Sequence, residues 1–141
     1  MKKVMFSLLC LSFAGAMHAQ DLKNAKSAFD KKQYDKAKTE IDGYLAKSPD
    51  DAEGLYYKAK IYEAMATTDQ FKSQAPPDAL DQAFDAARKS MGDGKDPKMM
   101  VIAMKDQYAA IFGLYTDYYQ QGADAFNAAV QSGDKSKFAD A

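Results

Sequence analysis

Ala25 and Ala59 stand 34 residues apart, and each is the small member of an apolar stripe with helical spacing. The first stripe runs Leu22, Ala25, Ala28 and Phe29, and the later one runs Leu55, Tyr56, Ala59, Tyr62 and Ala66. Such steps of three and four place the apolar residues on one side of a helix. Between them lies a third stripe, Tyr34, Ala37, Ile41, Tyr44 and Leu45. The chain therefore returns to an equivalent position after one helix pair, which predicts stacked antiparallel helix hairpins. Small side chains at such positions leave holes that large ones on the neighbouring helix fill, so the rods approach closely. Val, Ile and Thr are scarce and strand-like alternation is hard to find, so the expected class is all-α.

The punctuation between stripes agrees with this reading. Ser48-Pro49 stops the second helix, and Asp50 with Glu53 three positions on has the form of a capping box. Thr67 to Pro77 reads as a polar loop ending in prolines. Leu80, Ala83, Phe84, Ala87 and Met91 mark a fourth helix, with Gly92 placed to end it in the left-handed conformation. Asp96-Pro97 supplies a cap and a first helical residue. Lys98 to Gln131 contains no proline. One long helix, kinked near Gly113 or Gly122, is the preferred reading over two helices meeting at one of those glycines. Gly133-Asp134 is a turn, and Lys135 to Ala141 reads as the start of a further helix with Phe138 exposed on it. An uncovered apolar face at a chain end implies a fragment of a longer protein or a docked partner; the fragment reading is preferred.

The stretch AFDKKQYDKAKTEIDGYLAKSPDDAEGLYYKAKIY resembles the tetratricopeptide repeat family. Tyr34, Ala37, Ile41 and Pro49 fall at the aromatic, small, large and proline positions of that motif, and Leu55, Ala59 and Tyr62 at the positions opening the next repeat. Lys58 and Tyr44 depart from the usual leucine and alanine, and the loop of about ten residues from Thr67 replaces a short turn. The resemblance implies repeat one at about 21–49, repeat two at about 50–95, and a long helix with a partial repeat at about 97–141. It also implies an α-solenoid with a concave groove lined by the first helix of each repeat. In that register Lys26 and Asp30 face the groove from repeat one, and Glu53, Tyr56, Lys60 and Glu63 from repeat two. These mixed charges do not reproduce the lysine and asparagine clamp with which some members hold a peptide carboxylate.

Residues 1–19 read as a secretory signal peptide. Lys2 and Lys3 precede a mainly apolar run of 14 residues, Val4 to Met17, too short to span a bilayer as a helix. Cleavage is expected after Ala19, with Ala16 the rival site. Cys10 lies inside the apolar run after Leu8 and Leu9, a poor match to a lipoprotein anchor. The chain is thus expected to be exported, to the periplasm or the exterior, without a membrane span once the signal is removed.

The leader holds the only His and the only Cys, His18 and Cys10. Removing it takes two lysines from the 19 basic residues, leaving 17 against 20 acidic and a net charge of −3. Imidazole bases, thiolates, disulfides and the usual zinc sites are thereby excluded from the mature chain. No metal or cofactor is expected. Asp50-Asp51 reads as a helix N-terminus, and MGDGKDP lacks the closing Glu of a calcium loop. GDGK has no following Ser or Thr and the wrong glycine spacing for a phosphate loop. Basic and acidic residues alternate closely from Lys31 to Glu40, so no positive face for nucleic acid forms.

Tyr108, Phe112, Tyr115 and Tyr119 recur every three to four residues. Core packing is the expectation for this stripe, with a peptide groove as the alternative. The expected function is non-enzymatic binding of a protein or peptide on the concave surface. The rival expectation is a structural or accessory part of a cell-envelope assembly, with activity in a missing C-terminal portion.

Overall fold

The computed structural model describes residues 21–92, 94, 96–133 and 136. The expected signal peptide with its expected cleavage after Ala19, and the helix expected from Lys135 with Phe138, lie outside the described residues. Among those described there are six helices and no strand. They are α1 (Leu22–Asp30), α2 (Tyr34–Leu45), α3 (Ala52–Thr67), α4 (Ala79–Met91), α5 (Pro97–Lys105) and α6 (Ala109–Ser132). The all-α expectation is met.

The first two helices form a tight hairpin. Asp21 caps α1 by accepting from the Lys23 amide, and the chain reverses through Lys32, which takes φ +57° without being glycine. Helix α3 begins at Asp51, whose carboxylate accepts from the Gly54 amide at 2.7 Å. The cap is thus one residue later than Asp50, because Asp51 holds the extended backbone that lets its side chain reach back. Asp96 caps α5 and Pro97 opens it, as the sequence indicates.

Helix α3 is the central rod. It packs most extensively on α4, less on α2, and also meets α1, α5 and α6. Its position explains why seven of its residues are buried, whereas α1 and α2 bury two each. Ala25, Ala37, Ala59, Ala83 and Ala103 are fully buried, and Ile41, Tyr56, Ile61, Met65 and Met99 are the largest fully enclosed side chains. Alanines at the contacts bring the backbones close, and the large residues fill the spaces between them. The connection from Thr68 to Asp78 is tied down by Phe71, which packs edge-on against Tyr34 at 5.1 Å.

Three further expectations are corrected. The run after Lys98 is not one helix kinked at a glycine. It breaks at Asp106 to Tyr108, where Gln107 and Tyr108 take φ of +53° and +55°, and α6 then continues through Gly113 and Gly122. Helix α4 turns Ala83, Ala86, Ala87 and Ser90 inward and leaves Phe84 51% exposed, because close packing on α3 admits only small residues. Gly92 does end α4 at positive φ, but with ψ −134° it leaves in an extended direction and not in the left-handed helical well.

Candidate functional site

The left-handed pair Gln107–Tyr108 turns the chain back on itself after α5, so that Asp106 faces α3. There its carboxylate accepts from Tyr56 Oη at 3.0 Å and pairs with Lys60 Nζ at 2.8 Å. Burial and the Asp106 bond push the Tyr56 phenol above its ordinary range. In the first turn of α3, just before Tyr56, Glu53 pairs with Lys26 of α1 and with Lys98 of α5, the latter at 3.0 Å. Burial alone would raise the Glu53 carboxyl, but hydrogen bonds and charge from the two lysines win and hold it below the usual range. Lys26 and Lys60 also lie over the Tyr57 ring, at 4.9 and 5.5 Å.

These contacts locate the six residues that the repeat register assigns to a groove. Lys26, Glu53 and Lys60 are engaged with one another or with α5 and the α5–α6 corner. Tyr56 is 1% exposed, and Glu63 lies against α6, where a methyl group at Gly113 would stand 2.8 Å from its Oε1. Asp30 is exposed at the end of α1. Helices α5 and α6 therefore cover the α3 side of that surface, which the sequence pattern did not foretell.

The open surface lies elsewhere. Between α4 and α6 runs a cleft of about 640 Å³, lined by Phe84, Met91, Ile111, Leu114, Tyr115 and Tyr118 with Ala87 and Arg88. That volume falls within the range of ligand-binding clefts. Its walls are apolar for a definite reason. Alanines on the inner side of α4 set the helix close to α3, so the large residues at 84 and 91 are displaced toward α6. Tyr118 closes one end: its ring meets Phe84 edge-on at 5.8 Å, and its hydroxyl donates to Asp81 at 2.5 Å. Burial and that bond push the Tyr118 phenol up to about 12. Arg88 pairs with Asp85 at the rim at 3.2 Å.

The aromatic stripe expected in the core is on the outside. Phe112, Tyr115 and Tyr119 are 64, 70 and 69% exposed, and only Tyr108 packs partly against the core. The inward positions of this region belong to Ala103, Ala110 and Leu114. Residue type alone did not separate the two faces; the corner at Gln107–Tyr108, which sets the rotation of α6, did. Phe84 and Tyr118 were the cleft residues hardest to find: Phe84 belongs to the apolar stripe of the fourth helix, and Tyr118 falls outside the aromatic stripe that the spacing picks out.

Among the described residues, no group of three or more metal-ligating side chains gathers at one place, and no helix is long and apolar enough to cross a membrane. Comparison of the chain with protein-family profiles, curated proteins and solved structures finds no match.

Proposed function

We propose that this chain is an exported, non-catalytic helical module of the tetratricopeptide kind that binds a protein or peptide, and that it binds through the cleft between α4 and α6. The observation that carries the reading is the apolar cleft itself, with Phe84 half exposed and Tyr115 more so at its edges. Large apolar side chains held in water on rigid helices are stabilised by any complementary apolar face, at roughly 25 cal/mol for each Å² covered. A groove between two helices suits an amphipathic helical segment whose anchors recur at three and four residues. Support for the repeat reading comes from Ala25 and Ala59, both fully buried at helix contacts. Support for export, to the periplasm or the exterior, comes from the Lys2-Lys3 leader and its apolar run.

A second reading, a structural or accessory part of a cell-envelope assembly, is favoured by one feature. Exposed Phe112 stands beside the cleft, and exposed Tyr119, Phe126 and Val130 continue along α6 past it, an apolar strip longer than a short peptide covers.

Photo-crosslinking from position 115, against position 30 at the exposed end of α1 and outside the cleft, tests the first reading in an envelope fraction. Adducts are expected from 115 and not from 30, and the Phe84→Lys variant is expected to abolish them while its circular dichroism is unchanged. Adducts confined to position 30, or indifferent to Phe84→Lys, overturn the assignment. Adducts along the whole strip, persisting from positions 119 and 126 in Phe84→Lys, favour the assembly reading.

A further inference from the structure

Helix α6 is held on α3 across an interface that contains two carboxylates and few compensating charges. Glu63 projects from α3 onto the backbone of α6 at Gly113, where the lack of a side chain leaves room for its carboxyl group. Asp117 stands one turn further along α6, and its Oδ2 is enclosed without a hydrogen-bond partner. Among the described residues the cation acting on Glu63 is Lys60, one turn away on α3, and its ammonium is already held by Asp106 from the α5–α6 corner. The charged groups of α4, namely Asp81, Asp85, Arg88 and Lys89, are all exposed and contribute no counter-charge to this pair. Two like charges facing each other in a part-dried interface repel, and one proton between them removes that repulsion.

We propose that Glu63 and Asp117 form a proton-operated latch: with Glu63 protonated α6 is held on α3, and with both groups ionised α6 is loosened from the body. The position is consistent with how each group titrates. Burial, then the Asp117 charge, raises the Glu63 carboxyl to about 7 against the opposing pull of Lys60. Burial raises Asp117 as well. The sign follows from linkage. A carboxyl whose value is higher when α6 is docked gives full docking below the ordinary carboxylate range. That docking weakens as pH rises toward 7 and levels off above it. Glu53 acts in the opposite sense, but its contribution is complete before this window opens. Because α6 forms one wall of the α4–α6 cleft, the latch sets the width of that cleft.

Hydrogen exchange on the full chain, corrected for the intrinsic pH dependence of exchange, reads the latch directly. Protection of α6 amides between 112 and 121 is expected to fall tenfold or more from pH 5 to pH 7 and then to level, while α3 amides around Ala59 hold steady. The Glu63→Gln variant is expected to remove that dependence and keep α6 protected at pH 8, and Asp117→Asn to reduce it. Should either variant fold poorly, the carbon-13 shift of the wild-type Glu63 carboxyl gives an independent reading. A midpoint near 7 is expected, and one in the ordinary glutamate range overturns the latch. Protection of α6 that is flat with pH in the wild type, or equally steep in Glu63→Gln, overturns it too.

Discussion

Tyr62→Phe isolates one bond that ties the second helix to the central rod. Tyr62 is 3% exposed, and its hydroxyl donates to both carboxylate oxygens of Asp42 on α2, at 2.7 and 2.9 Å. The substitution removes one oxygen and leaves the ring in place, so the packing of α2 on α3 and the lysines over the ring, Lys38 at 5.2 Å and Lys58 at 4.8 Å, are preserved. A hydrogen bond to a charged acceptor contributes about 1.5–3 kcal/mol. Here the acceptor keeps Lys38 at 2.6 Å and is 33% exposed, so water replaces the lost donor in part. The loss should lie near the low end, about 1–2 kcal/mol, with a fall in melting temperature on the order of 5 °C. Urea titration followed by circular dichroism should show the midpoint moving at constant slope. A cycle with Asp42→Ala should return a coupling of about 1 kcal/mol. Stability equal to wild type, or additive single effects, would mean that the bond merely exchanges with water and does not clamp the hairpin.

Other expectations follow from burial and backbone geometry. Ile41→Ala, at a fully enclosed site between α2 and its neighbours, should cost about 2–5 kcal/mol by urea titration; a loss under 1 kcal/mol would show that the interior there is not close-packed. Asp96→Ala removes the cap that receives the Lys98 amide at 2.8 Å and should lower stability by about 1 kcal/mol, with Asp96→Asn recovering most of it. Lys32→Gly relieves a left-handed residue at the α1–α2 turn and should raise stability by up to about 1 kcal/mol; a clear loss would contradict the turn geometry.

The helix pattern was legible because spacing and punctuation spoke together. Leu22 to Phe29, Tyr34 to Leu45 and Leu55 to Ala66 each carry an apolar stripe, and the structure places a helix on each. The cap at Asp96 and the proline after it were equally plain. The break at Gln107–Tyr108 was hidden because neither residue belongs to the glycine, asparagine or aspartate set that adopts positive φ readily. Its geometry comes from docking Asp106 on Tyr56 and Lys60, a long-range contact with no local signature. The cleft was illegible for the same reason. Phe84 and Tyr115 look like interior residues until the rotation of α4 and α6 is known; the alanines facing α3 decide it for α4, and the Gln107–Tyr108 corner for α6. Asp50 and Asp51 offered equivalent letters for the cap of α3, and only the backbone direction chose between them.

The corner at Gln107–Tyr108 holds two consecutive non-glycine residues in a conformation that disfavours each by roughly 1–2 kcal/mol. Were both to relax to ordinary helical angles, Pro97 to Ser132 would fuse into one rod about 54 Å long. Two torsion pairs thus separate a folded-back arm from an outstretched one. The grip of Asp106 on its two partners is what keeps the arm at home.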